Sequence, residues 1–367
     1  MRYNWELPDW PDFTYSLKNI EVILYQFAFE TGEISGLLKS LPKEAQEESL
    51  MEVMLSEAIK TSEIEGEFLS RQDVMSSIRN NLGLNEIPVI VRDEKAGGIG
   101  HLMVDVRKTY AEPLTAETLL NWHRLLLGTS PRIRIGQWRI GEAPMQIISG
   151  SIGKEKIHFQ APPSDDVAME MNRFLEWFSD TAPNGAVPIS SAPVRAAIAH
   201  LYFESIHPFE DGNGRIGRAI AEKAIAQTLG RPVMMSLSRT IEAGRHGYYA
   251  ALEKAQRSNE ITDWIEYFAE IVLASQRESK EQIAFTLQKT HFFDRYQLQL
   301  NERQTKVIQR MLQAGPAGFE GGMSAKKYMA IAKTSKATAT RDLQELVEIK
   351  VFQMEGGGRS VRYALVL

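Results

Sequence analysis

Apolar positions along the chain recur mostly at the spacing of helices. Ile20, Ile23, Leu24, Phe27 and Ile34 predict a helix over 17–41. A second over 45–62 carries Leu50, Met54, Ala58 and Ile59 on one face and ends near Gly66, a residue suited to leaving helical geometry. More helices are expected at 71–81, 97–110 and 116–127. Val167, Met171, Phe174, Leu175 and Phe178 form the stripe of a core-facing helix, with Ser164 or Asp165 as its expected cap. The stretch 192–205 is apolar on nearly all sides, which places it at a domain centre. After a loop at 207–213 comes another apolar helix, 214–229. Long helices at 240–257 and 262–289 close this body.

Two segments break the pattern. Residues 5–16 hold Pro8, Pro11, Trp5, Trp10, Phe13 and Tyr15, which excludes a continuous helix and predicts an extended arm whose aromatic rings dock on the body. Between 136 and 159, Trp138, Ile140, Met145, Ile147, Ile148, Ile157 and Phe159 are interrupted by Gly141, Pro144, Gly150 and Gly153, the signature of a hairpin with its tip at 149–153. After Tyr296 the pattern resets. Helices near 302–313, 324–330 and 335–347, then strands at 350–354 and 361–365 joined by a turn at 355–359, describe a winged helix-turn-helix. The expected fold is mainly α: a helical body with a small β-hairpin, plus a C-terminal winged helix-turn-helix. The expected divisions are an N-terminal arm and helix at 1–45, a catalytic body at 46–290 and the winged helix at 296–367.

Composition narrows the class. A chain of 367 residues that is 43% hydrophobic and 24% charged is globular in composition, and its lack of cysteine excludes disulfides, thiolate zinc ligands and thiol catalysis. No apolar run reaches the ~18–20 residues of a membrane span, and the N-terminus lacks the apolar core of a signal peptide; a cytoplasmic protein without a membrane partner is expected. The net charge of −5 hides an asymmetry: residues 301–367 hold 11 Lys and Arg against 6 Asp and Glu. That excess suits phosphate contacts by Lys333, Lys336 and Arg341 near the start of the recognition helix and by Arg359 and Arg362 on the wing. Ser335 is its expected cap, with Ala339, Leu343, Leu346 and Val347 buried. Winged helices also dock proteins or pair with a second copy, so DNA, protein and homodimer readings stay open.

The chemistry concentrates in residues 207–218, HPFEDGNGRIGR. Gly212 and Gly214 flank Asn213 at a helix start, where inward-turned amides and the helix dipole favour an anion. Arg215 and Arg218, three apart, offer two guanidinium groups to phosphate oxygens. Asp211 supplies the hard oxygen that Mg²⁺ shares with phosphate and water. His207 accepts a proton near neutral pH. The other histidines show no metal-ligand spacing, and His200 reads as a buried helix residue.

This stretch matches every fixed position of the Fic motif, HPFx(D/E)GNGRxxR, and over about residues 46–289 the chain resembles the Fic family. The resemblance implies transfer of AMP from ATP to a Ser, Thr or Tyr hydroxyl of a target protein, with release of pyrophosphate. It implies His207 as general base, Phe209 as buried anchor and Asp211 as the Mg²⁺ ligand. It implies Asn213 and the amides of Gly212, Gly214 and Arg215 on the phosphates, with Arg215 and Arg218 on the outer ones. Gly214 argues against the kinase-like branch, which has lysine there; the motif leaves the phosphocholine-transferring branch open. Residues 61–66, TSEIEG, resemble the family's inhibitory pattern (S/T)xxxE(G/N), implying that Glu65 pairs with Arg218 and blocks the γ-phosphate. The hairpin stands where the family has its target-docking flap, which implies Ile147 and Ile148 as docking residues. Tyr248 and Tyr249 stand where the family contacts adenine or ribose, although an aromatic pair on a helix also suits a core. Two rivals are a DNA-binding regulator whose body only senses ATP, and AMP removal by the same site with Glu65 orienting water. Self-modification is a further outcome of transfer.

Overall fold

The computed structural model describes residues 2–128, 133–150, 156–356 and 361–367. Helices dominate: α1 (Glu21–Ser40), α2 (Lys43–Ile64), α3 (Arg71–Leu82), α4 (Glu94–Lys108) and α5 (Ala116–Leu127) precede a hairpin of β1 (Gln146–Ser149) and β2 (Lys156–Gln160). Then come α6 (Val167–Asp180), α7 (Ala192–Ile206), α8 (Asn213–Leu229), α9 (Leu237–Ala243), α10 (Arg245–Ala255) and α11 (Thr262–Tyr296). The chain ends in α12 (Glu302–Leu312), α13 (Ala325–Ala332), α14 (Lys336–Glu348), β3 (Phe352–Glu355) and β4 (Arg362–Leu365).

The chain divides into two compact units, 1–31 with 50–277 and 32–49 with 278–367. The sequence reading put its divisions near 45 and 290 instead. Helices α1, α2 and α11 run unbroken past the unit boundaries, so periodicity along them carries no mark of a division.

In the first unit, α7 packs on α8 at the centre, and every residue of α7 is buried. The N-terminal arm holds one short 3₁₀ turn, Asn4–Glu6, and its aromatics dock as expected. The Trp10 ring stands edge-on to Phe13 and Tyr202, and its indole N–H donates to Glu170 at 2.9 Å. The expected single helix over 240–257 is two helices, because Gly244 ends α9 and begins α10. Neither Ser164 nor Asp165 caps α6: both lie in a 3₁₀ turn, Ser164–Asp166, that leads into it. The hairpin tip expected at 149–153 falls partly on 151–155, outside the described residues.

In the second unit, α12, α13, α14 and the β3–β4 hairpin stand where the sequence places them. A polar knot around the buried Asp342 ties the three helices. Arg303 of α12 grips Asp342 of α14 through two hydrogen bonds of 2.8 and 3.0 Å, and the Tyr328 hydroxyl of α13 donates to the same carboxylate at 3.0 Å. Ser335 caps α14 by accepting the Thr338 amide. Ala339, Leu343 and Leu346 are buried, Val347 is half-buried, and Lys333, Lys336, Arg341 and Arg362 are exposed. Arg359 lies outside the described residues.

Below α8, a buried ion pair joins Glu222 to Arg107 of α4 at 3.4 Å. Burial pushes the Glu222 carboxyl from 4.5 up to about 7, with Arg107 opposing the shift. Between those two values the folded chain holds a proton that the unfolded chain lacks, so stability is lost as pH rises through that window. Glu222→Gln is expected to flatten this loss, read as the urea midpoint at about pH 5 against about pH 8. An unchanged slope in the variant would assign the pH dependence to another group.

Candidate active site

The loop between α7 and α8 is built as a turn locked from three sides. α7 ends at His207, whose backbone is left-handed (φ 49°, ψ 61°), an uncommon conformation for a residue with a side chain. Gly212 is left-handed too (φ 83°) and opens α8, leaving the first amides of that helix without helical partners. The Asn213 side chain closes the turn: it accepts from the Phe209 amide at 3.0 Å and donates to the Phe209 carbonyl at 2.9 Å. Its polar atoms are therefore committed to the loop, and what it offers an anion is its backbone. The fully buried Phe209 ring stacks on His123 at 4.1 Å and packs against Trp138.

Two positioning residues went unnoticed in the sequence. His123 of α5 accepts the Gly136 amide on Nδ1 at 2.8 Å, which fixes the proton on Nε2, and that nitrogen lies 3.2 Å from the Asp211 carbonyl. Burial lowers its pKa, in keeping with a neutral ring. Arg139, only 3% exposed, donates to the carbonyls of His207 (2.8 Å), Pro162 (2.7 Å) and Ile206 (3.2 Å) and to Ser164 Oγ (2.9 Å). It bolts the strained end of α7 to the segment after the hairpin. Burial lowers this guanidinium to about 10.

His207 Nδ1 lies 3.6 Å from Oε2 of the buried Glu204, an ion-pair distance rather than a hydrogen bond. That leaves Nε2 as the nitrogen turned away from the carboxylate. Burial pushes the Glu204 carboxyl up, but His207, His200 and Arg218 outweigh it and hold the group below the usual carboxylate range. The signal for Glu204 was present in the sequence: the one carboxylate of a largely apolar helix, three residues before His207.

Both motif arginines are buried and both are paired. Arg218, 1% exposed, donates through Nε to Thr61 Oγ1 at 2.8 Å and through Nη2 to Glu65 Oε1 at 2.7 Å and the Thr61 carbonyl at 3.1 Å. Burial alone would lower this guanidinium, yet the charge of Glu65, with Tyr248 and Tyr249, holds it above its ordinary value. Glu65 comes so close to α8 that a Cβ at Gly214 would collide with its Oε1. Arg215 donates to Glu67 at 2.5 Å and stands 3.6 Å from Asp211; Glu67 also takes Lys95 at 2.6 Å. The Glu67 pair was not foreseen, although the alternation of Glu63, Glu65 and Glu67 signals it. Asp211 is half exposed, and its Oδ1 accepts the Gly212 amide at 2.6 Å.

Glu65, Glu204, His207, Asp211, Gly214 and Arg218 line one cavity of about 670 Å³, together with Ile147 and Ile148 of β1 and with Tyr248 and Tyr249 of α10; Arg215 and Glu67 lie outside its lining. Tyr248 is buried, its hydroxyl 2.6 Å from His200 Nε2, so it serves the core as well as the wall. Tyr249 is 41% exposed; burial of the rest of the side chain, with Glu65, lifts its hydroxyl to about 12. His200 is fully buried, as expected. A second cavity of about 740 Å³ in the C-terminal unit has only Glu281, Glu320 and Glu355 as charged groups in its lining. Cationic groups, Arg218 and Arg245, line the first alone of these two.

Residues 113–225 match the Fic/DOC family, a span that includes the whole 207–218 loop. Residues 3–84, which contain Glu65 and Glu67, match a domain of unknown function, DUF4172. Two relatives named "Protein adenylyltransferase Fic" are similar to this chain. That of Nematostella vectensis is 26% identical over 149 residues, 41% of this chain and 30% of its own. That of Drosophila mojavensis is 28% identical over 165 residues, 45% and 28%. The chain thus spans less than a third of the length of these relatives. Among solved structures, a Fic family protein from Desulfovibrio desulfuricans G20 matches over 97% of this chain and 98% of its own, with a TM-score of 0.54 at 20% identity. A Fic domain containing signaling protein from Bacteroides thetaiotaomicron VPI-5482 matches over 71% and 97%, with a TM-score of 0.54 at 17% identity. At these identities the likeness is one of fold.

Arg139→Met removes the donors of three carbonyls and is expected to cost about 3 kcal/mol, the order for charged buried hydrogen bonds left unmade. Equilibrium denaturation reads the cost; a loss below about 1 kcal/mol would mean that other donors replace it.

Proposed function

We propose that this chain, which carries a domain of the Fic/DOC family, transfers AMP from ATP to a hydroxyl side chain of a target protein and is held in check by Glu65. The observation that carries the reading is the Arg218 guanidinium. It is buried at the cavity that also holds His207, and Glu65 neutralises it there.

In this reading the triphosphate lies against the free amides that open α8, where the helix dipole and Arg215 and Arg218 favour negative charge. The target segment pairs along the β1–β2 edge beside Ile147 and Ile148. Its hydroxyl oxygen attacks the α-phosphorus, the bond to the bridging oxygen breaks, pyrophosphate leaves, and the proton passes to His207 Nε2. Glu204, beside Nδ1, stabilises the resulting imidazolium. Most of the work is positioning and charge stabilisation, and the base contributes about 10²–10⁴-fold.

The residues present fit Mg²⁺. Such an ion needs one or two carboxylates and supplements them with phosphate oxygens and water, and Asp211 is a half-exposed carboxylate beside the phosphate amides. Among the described residues no cluster of three or more His, Asp or Glu could cage a metal, so the ion would come with the nucleotide. When bound, it neutralises charge on the phosphates.

With Glu65 on Arg218, a γ-phosphate finds that guanidinium already taken, which supports autoinhibition. In the C-terminal unit the order of three helices and a hairpin, with Lys336 and Arg341 exposed on α14, supports a winged helix-turn-helix that contacts DNA.

Labelled ATP, Mg²⁺ and a cell lysate test the reading. His207→Ala is expected to lower labelling of proteins by about 10²–10⁴-fold; retained labelling would overturn its role as base. Glu65→Gly is expected to raise labelling by about 10–100-fold, the equivalent of one charge-assisted hydrogen bond of about 1.5–3 kcal/mol. An unchanged rate removes the inhibitory assignment. Release of AMP from modified proteins, dependent on Glu65, would instead favour removal.

A further inference from the structure

The N-terminal arm, α6 and α7 enclose a further cavity of about 590 Å³ inside the first unit, and it shares no lining residue with the one around His207. Its size falls within the ~300–1,000 Å³ of small-molecule sites. Three aromatic residues stand in its wall: Phe13 of the arm, Trp177 of α6 and Tyr202 of α7. The Tyr202 ring is inclined at 77° to Phe13 and at 66° to Trp177, with centroids 5.6 and 6.0 Å apart. Rings inclined in this way line a corner rather than stack flat.

Tyr202 is fully buried, and among the described residues its hydroxyl has no hydrogen-bond partner. Buried polar groups are nearly always paired, and a phenylalanine would keep the same ring contacts without a buried, unmet hydroxyl. The charges that this hydroxyl feels are those of Glu170, Arg173 and Asp12. Arg173 and Asp12 belong to the cavity wall, so the hydroxyl end of the ring is the end turned toward the cavity.

The charge of the wall narrows what would meet that hydroxyl. Arg173 is already neutralised, because Glu170 accepts from it at 3.2 Å and takes the Trp10 indole on its other oxygen. Asp12, Glu176 and Asp180 line the same cavity, and among the described residues no cation pairs with any of them. Glu176 and Asp180, four apart on α6, are like charges on one helix face, an arrangement unfavourable on its own. Three uncompensated carboxylates repel an anion. A bare metal ion would leave the rings without a role. A quaternary ammonium has no N–H and would leave the hydroxyl unmet. Methylenes carrying N–H cations satisfy all three features: the N–H groups meet the carboxylates and the Tyr202 oxygen, and the ring faces take the methylenes and the adjacent charge.

We propose that this cavity binds an aliphatic chain bearing two or more primary or secondary ammonium groups, as a free polyamine or as neighbouring lysines of a peptide. The site stands apart from the transfer reaction, and the inference holds whether or not the chain transfers AMP.

Isothermal titration calorimetry of the full chain at low salt tests it, with spermidine, a trilysine peptide and hexane-1,6-diol as probes. One of the two cations is expected to bind, and the neutral diol is not; the tighter cation names the source. Tyr202→Phe is expected to weaken binding by about 10–100-fold, the loss of one hydrogen bond to a charged group. Asp12→Asn, Glu176→Gln and Asp180→Asn together abolish it. Glu281→Gln, Glu320→Gln and Glu355→Gln, in the cavity of the second unit, leave it unchanged and so exclude unspecific attraction to an acidic chain. Because Asp12 and Glu176 are exposed, the first triple variant decides the matter even where Tyr202→Phe does not fold. No heat with either cation overturns the inference. So does equal binding of the diol, binding that survives loss of the three carboxylates, or equal weakening by both triple variants.

Discussion

A guanidinium that is 1% exposed cannot be left without partners, and the arrangement of the first unit follows from that constraint. An unpaired buried cation costs several kcal/mol, more than a typical domain can spare. Arg218 lies in the second turn of α8 with apolar packing around it, so its partners must come from elsewhere in the chain. They come from the end of α2: Thr61 gives a hydroxyl and a carbonyl, and Glu65 gives a carboxylate. For Glu65 to arrive, α2 must stop at Ile64 and the chain must turn at Gly66, which is left-handed (φ 78°). Glycine at 214 leaves room for it, since a Cβ there would push the Glu65 carboxylate aside. A glycine that reads as part of an anion nest thus also makes space for the closed ion pair.

The reactive loop is held by the same logic of satisfied buried groups. α7 is buried along its whole length, so its last carbonyls have no water to turn to. Arg139 reaches them from the segment between α5 and the hairpin, and His123 reaches the Asp211 carbonyl from α5. Asn213 takes up the Phe209 backbone internally. The buried backbone groups of the loop are therefore satisfied within the chain, which leaves the α8 amides and His207 Nε2 as its uncommitted chemistry. Preorganised donors of this kind stabilise charge without reorganising during reaction.

Much of this was legible in the sequence because it depends on short spacings. The apolar stripes placed nearly every helix within a few residues, and the 207–218 stretch announced a helix start rich in amides and cations. The Thr61–Glu65 spacing put both groups on one face, and both reach Arg218. What escaped depends on distance along the chain. Arg139 lies 68 residues from His207, and no local pattern marks an arginine as a carbonyl clamp. The split at Gly244 escaped because the apolar period runs on through it. Tyr202 escaped because it reads as one more apolar position of α7, and nothing local marks a hydroxyl that lacks a partner.

The acidic end of α2 does more than supply one partner. Glu65 takes Arg218 and Glu67 takes Arg215, so three residues of chain neutralise both cations of the loop. The two pairs are not equivalent. Burial is alike in both, 1% and 30% exposed for Arg218 and Glu65 against 3% and 22% for Arg215 and Glu67, so the difference lies in how each carboxylate is shared. Glu67 divides its charge between Arg215 and the largely exposed Lys95, which makes its hold on the loop weaker and more open to screening. Of the two, only the Glu65–Arg218 pair lines the cavity, so displacing Glu65 there leaves a buried guanidinium that only another negative charge can neutralise.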